Sequence, residues 1–161
     1  MTTAIDMVDA DLGDPVHAEA IVRLLDAFMR EPMQGGEPLS DRAKQELIPR
    51  LHAHPACYVL LALSGTTAVG VAVCFLGFST FNARPLINIH DIFVVPESRG
   101  RGVGKQMLDR IETKARQLGC CRLTLEVRED NRIAKALYLK FGFDQARYDG
   151  SVQEFWVKLL N

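Results

Sequence analysis

The sequence predicts a mixed α/β (α+β) domain built on a mostly antiparallel sheet, and three observations carry that reading. Two apolar runs of strand character, Tyr58 to Leu63 and Ala68 to Phe78, are joined by Ser64-Gly65-Thr66-Thr67, a hairpin turn. Amphipathic stretches at helical spacing alternate with the strand runs. Ile87 to Val127 reads as strand, glycine-rich turn, helix and strand, an order that sets its two strands parallel.

Ala4 to Asp9 is the first short strand. Asp14-Pro15 then supplies an N-cap and a proline at the first helical position, and Ala20, Ile21, Leu24, Leu25 and Phe28 form the core stripe of a helix from Pro15 to Met29. Pro32, Gly35, Gly36 and Pro38 break the pattern before Ser40 caps a second helix reaching His54. After the hairpin, Asn82 to Pro85 turns the chain into the strand at Ile87. Val103, Met107, Leu108, Ile111 and Ala115 share one face of a helix closed by Gly119, a C-cap residue. Arg122 to Val127 alternates apolar and polar residues as a two-faced strand, and Asn131 to Lys140 is a short helix. Phe143 to Tyr148 and Val152 to Leu159 are expected as strands around a turn at Asp149-Gly150.

Composition narrows the function. A chain of 161 residues, 48% of them hydrophobic, suits one domain with a single core. The formal net charge of −1 predicts no nucleic-acid partner. Residues 1–9 lack a signal sequence and the longest apolar run, Ala68 to Phe78, is too short to span a bilayer, so no membrane partner is expected. Cys57, Cys74, Cys120 and Cys121 show no ligand spacing and Cys120 and Cys121 are adjacent, which predicts no metal and a reduced, cytoplasmic setting.

The glycine-rich turn has the chemistry of an anion site. Across Arg99, Gly100, Arg101, Gly102, Val103, Gly104 and Lys105, three glycines leave the backbone bare, so successive N–H groups can converge on phosphate oxygens at the positive end of the following helix. A Walker A loop would need Gly at 99 and Ser or Thr at 106, where Arg99 and Gln106 stand. The dinucleotide fingerprint started at Gly100 meets Lys105 where its third glycine belongs.

Arg99, Gly102 and Gly104 instead resemble the R/Q-x-x-G-x-G/A turn of the GNAT family of N-acetyltransferases. Val94-Val95-Pro96 upstream, and Asn131, Ala134, Leu137, Tyr138 and Gly142-Phe143 downstream, match the family's other elements in order and spacing. The likeness runs from Ile87 to Phe143, about a third of the chain. It implies a single N-acetyltransferase domain over residues 1–161, with helices on both sheet faces and the central parallel pair splayed apart. It also implies acetyl-CoA as co-substrate, its amide arm paired with the backbone of Ile92, Phe93 and Val94 and its pyrophosphate on residues 100–105. The loop between the first two helices, with Met33 and Gln34, would line the acceptor side.

The implied acceptor is a primary amine of a small molecule, and it must be neutral to attack. An alkylamine with a pKa near 10.4 is neutral in only about one part in two thousand at pH 7, an obstacle of about 4 to 5 kcal/mol, so a base is wanted. Glu126 is the first candidate, because Leu125-Glu126-Val127-Arg128 before Asn131 is similar to the ribosomal-protein-alanine acetyltransferase branch. His90 is the second, in a segment similar to the Leu-Glu-Asp of polyamine acetyltransferases, with histidine in place of the glutamate. Strand alternation sets Asp91 on the face opposite His90, in a structural role. Tyr138 is the group expected to meet the departing thiolate, and Asn131 to cap its helix and bind the pantetheine arm. A protein N-terminus as acceptor, and a catalytically silent acyl-CoA sensor, are the alternatives. The apolar tail, Phe155-Trp156-Val157 with Leu159-Leu160, suits pairing in a homodimer.

Overall fold

Alternation in the strands decides where the core lies. In the computed structural model, which describes residues 4–145, 147–148, 151–152 and 156–160, the chain divides into two compact units, Met1–Glu126 and Val127–Asn161. The first holds a five-stranded sheet in the order β1 (Ile5–Asp9), β2 (Cys57–Ser64), β3 (Thr67–Ser79), β4 (Arg84–Val94), β5 (Leu123–Leu125). All neighbours are antiparallel except β4 and β5, which are parallel.

Val59, Leu61, Val71, Val73 and Phe93 point to one face, where they pack with Ile21, Leu24 and Leu25 of α1 (Pro15–Met29) and Leu51 of α2 (Asp41–Ala53). The other face is covered by α3 (Val103–Gln117), whose Val103, Met107, Leu108, Ile111 and Ala115 are buried. Gly70 lets α3 come close: a Cβ there would lie 3.0 Å from Met107 Sδ and 3.2 Å from the Phe93 carbonyl oxygen. On this side Asp9 accepts hydrogen bonds from Tyr58 Oη at 2.9 Å and Arg110 at 2.9 Å and an ion pair from Lys114 at 3.3 Å, tying β1 and β2 to α3.

Local chemistry places the helix ends as expected. Asp14 caps α1 by accepting the Val16 N–H, with Pro15 opening the helix, and Ser40 caps α2 by accepting the Ala43 N–H. The α1 to α2 connection is held by Asp26, which accepts from the Leu39 N–H at 2.8 Å, Arg30 at 3.0 Å and Lys44 at 3.1 Å.

β5 is shorter than its alternation predicts. The register of β3 on β4 pairs Val73 with Asp91 but Cys74 with Ile89, so His90 is a bulge residue. Bulges increase twist and end pairing, and the parallel ladder stops at this point, with Ile87↔Leu123, Asn88↔Thr124 and Ile89↔Leu125 its only rungs among the described residues. β4 continues to Val94 with β3 alone beside it. This is the splayed parallel pair.

The second unit contains α4 (Arg132–Phe141) and a two-stranded ladder of β6 (Arg147–Tyr148) and β7 (Ser151–Val152). The long terminal strands read from the sequence are not found in the described residues: 143–145 and 156–160 are outside strands, while Asp149-Gly150 and residues 153–155 lie outside the described residues. An apolar run becomes a strand only where a neighbour pairs with it.

Candidate active site

The free edge of β4 can be assigned group by group. The Val95 N–H donates to the Val69 carbonyl at 2.9 Å, on the β3 side. Because backbone groups alternate along a strand, those of Phe93 also face β3, and those of Ile92 and Val94 face the opposite edge, where the β5 ladder has ended. The Val94 carbonyl confirms the direction by accepting from Arg99 Nε at 2.9 Å. Phe93 therefore offers its ring and not its amide: it stacks on Phe28 at 5.4 Å and carries the Arg99 guanidinium 5.5 Å above its centre.

The turn after β4 begins with a short 3-10 segment, Pro96–Ser98, whose end is closed by the Arg99 N–H donating to the Pro96 carbonyl. Gly100 and Gly102 have φ of 71° and 78°, the left-handed region that suits glycine. Gly102 is the N-cap of α3 with no side chain to cap it, so the first-turn N–H groups after it have no side-chain acceptor at the cap. A Cβ at Gly100 would meet nothing within 4 Å, and one at Gly102 only Gln106 Nε2 at 4.0 Å. The space on the Cβ side of both glycines is thus open, and a bare helix start is of the kind that suits an anion.

The charged side chains around the turn are divided. Arg99 reaches the Val94 carbonyl, the Phe93 ring and Glu31 Oε1, the last at 3.1 Å. Lys105 pairs with Asp109 at 2.7 Å along the helix. Arg101 is exposed and makes no ion pair among the described residues. Val103 is buried and anchors the first turn of α3, and Gly104 follows it within the helix.

The bulge corrects the expected position of Asp91. Its partner Val73 faces α1 and α2, and the exposed His90 sets its ring edge-on to Phe75 at 5.6 Å, also on that side. Both residues thus share one face, because the extra residue cancels the alternation. Burial pushes the Asp91 carboxyl upward, partly countered by the positive charge His90 can carry. Asn88 donates to Thr124 Oγ1 at 3.1 Å on the same face, and Glu126, exposed, is the first residue past β5.

In the second unit, Asn131 caps α4 by accepting the Ala134 N–H at 3.1 Å. Tyr138 is buried on the same helix, edge-on to Phe143 at 5.8 Å, and its burial pushes the phenol above the usual tyrosine range. The sequence reading missed Glu31, which meets Arg99 across 68 positions of chain, and the bulge at His90. Neither carries a local signal.

The comparisons with known proteins agree with this geometry. The chain belongs to the acetyltransferase (GNAT) family, whose model matches residues 20–143. It is 30% identical over 103 residues to an uncharacterised N-acetyltransferase of Bacillus subtilis, covering 64% of this chain and 68% of that protein. It is 35% identical over 78 residues to the thialysine N-ε-acetyltransferase of Bos taurus, covering 48% of this chain and 45% of that enzyme, so the likeness spans under half of its length. Among solved structures, an aminoglycoside N-acetyltransferase in complex with CoA has the same fold, with a TM-score of 0.77, 19% identity, and coverage of 96% of this chain and 95% of that one. No helix of the described residues is long and apolar enough to cross a membrane, and among them no group of three His, Cys, Asp or Glu is placed to hold a metal ion.

Proposed function

We propose that this chain, acting as one N-acetyltransferase domain, transfers an acetyl group from acetyl-CoA directly to the primary amine of a small molecule. The observation that carries the reading is the uncapped start of α3 beside a β4 edge whose ladder has ended. The N–H groups of residues 100–105 would hold the diphosphate, with Arg101 adding charge, and the backbone of Ile92 and Val94 would pair with the amide arm. Acetyl-CoA supplies an activated acyl thioester. The Val94 N–H is the donor proposed to hold the developing charge on the acyl oxygen, a role worth about 3 to 4 kcal/mol per donor.

Glu126 and His90 are the groups proposed to take the ammonium proton, directly or through water. Glu126 directly follows β5, whose Thr124 meets Asn88, and continued alternation would bring it to that face. Tyr138 is proposed as a donor to the leaving sulfur. With its phenol raised by burial, Oη keeps its proton and serves by hydrogen bonding. The thialysine enzyme and the aminoglycoside enzyme, both named for small amines, support a small-molecule acceptor. A cytoplasmic setting and a homodimer paired through the apolar tail complete the reading.

The test is free-thiol release from acetyl-CoA with a panel of small primary amines and N-terminal peptides. Saturable release with a small amine is expected. Tight binding of acetyl-CoA without thiol release from any amine would replace the enzyme by a sensor, and release with peptides alone would move the acceptor to a protein N-terminus.

A further inference from the structure

Arg99 occupies a junction of three segments. Its Nε donates to the Val94 carbonyl, the last residue of β4, at 2.9 Å. Its guanidinium lies over Phe93, whose ring stacks on Phe28 in the last turn of α1. Its Nη2 reaches Glu31 at 3.1 Å, the residue that opens the loop after α1. Arg99 itself is the first residue of the anion turn.

The loop it reaches is tied to α1 by the Glu31 N–H, which donates to the Phe28 carbonyl at 3.0 Å. Residues 31–36 form one 3-10 turn, Pro32–Gln34, closed by backbone bonds from Gln34 and Gly36 to the Glu31 carbonyl and from Gly35 to Pro32. Two left-handed glycines follow, Gly35 at φ 113° and Gly36 at 77°. All of its internal bonds fall on Glu31 or Pro32, so whatever fixes Glu31 fixes the turn. An exposed ion pair alone is a weak tether, but this guanidinium is also pinned by a carbonyl and a ring face, which reduces the freedom lost on pairing.

We propose that Arg99 and Glu31 are positioning residues that couple the anion turn to the loop at residues 31–36, so that seating a diphosphate on the turn orders this loop. Ordering residues 100–105 removes motion from the backbone that carries Arg99, and the guanidinium passes that restriction to Glu31. The coupling is entropic and needs no change of shape. It rests on the proposed donor site.

Hydrogen exchange of the full chain with and without coenzyme A tests it, in the wild type, Glu31→Gln and Arg99→Gln, the second keeping a residue type compatible with the turn motif. In the wild type, coenzyme A slows exchange at 100–105 and, by about threefold or more, at 31–36. In both variants the slowing at 100–105 remains and the slowing at 31–36 is lost. A purely structural pair would speed exchange at 31–36 in the ligand-free variants and leave the ligand-dependent difference as in the wild type. That result, or protection of 100–105 in the wild type with none at 31–36, overturns the coupling. Absence of protection at 100–105 in the wild type removes the donor site itself, and the coupling with it.

Discussion

The two halves of β4 share one strand and have opposite fates. Residues 87–89 have a strand on each side, with Ile87 and Ile89 buried. Residues 92–94 keep β3 on one side and have no strand on the other edge among the described residues. The single bulge at His90 separates them, and it lies where the parallel ladder stops. A one-residue insertion thus turns a doubly paired strand into a strand with an open edge.

Substitutions in each half sharpen this contrast. Ile87→Ala in the doubly paired half should cost about 2 to 5 kcal/mol of stability, roughly 5 to 15 °C in melting temperature, with turnover per folded molecule unchanged. Val94→Pro in the open half removes an N–H that faces away from β3. It should lower turnover about 100- to 1,000-fold while calorimetry shows a melting temperature near that of the wild type. Phe93→Pro, one residue earlier, removes a ladder donor and should unfold the protein. If Val94→Pro and Phe93→Pro behave alike, the assignment of edges is wrong.

Gly102→Ala is milder. Left-handed backbone costs a residue with a Cβ about 1 kcal/mol, and the methyl enters the space before the amides, so acetyl-CoA affinity measured by calorimetry should weaken several-fold. The smallest effects come from the frame. Burial raises the Asp9 and Asp26 carboxyls, but hydrogen bonds from Tyr58, Arg110 and Lys114 to Asp9, and from Arg30, Lys44 and the Leu39 amide to Asp26, outweigh it and hold both below the ordinary 3.8. With folded values depressed, their contribution is complete above the unfolded pKa and is lost as pH falls through the folded one. Melting temperature should therefore drop below about pH 4, and Asp9→Asn should flatten part of that drop while costing under about 1 kcal/mol at pH 7, the group being partly exposed.

Much of the frame was legible because it is written locally. Asp14-Pro15, Ser40 and the stripe Val103, Met107, Leu108, Ile111, Ala115 mark their helices at the observed positions, since caps and periodicity act over one or two turns. The glycine-rich turn before α3 was legible for the same reason. The bulge was not, because it is a relation between β4 and β3, and so the facing of Asp91 was misread. The early end of β5 followed from the same hidden cause. Arg99 was legible as part of the turn motif, but its contacts with Glu31 and Phe93 were not, since no local pattern announces them. Of the terminal strands, the described residues show the short ladder of β6 and β7, with 156–160 outside strands.

The central claim is that the edge freed after His90 and the bare start of α3 hold one ligand together. Backbone amide resonances followed by NMR during a coenzyme A titration test it most directly. Saturable shifts at Ile92, Val94 and residues 100–105, with Ile87 to Ile89 unmoved, are the predicted result. Shifts confined to other surfaces, or none at millimolar coenzyme A, would contradict it.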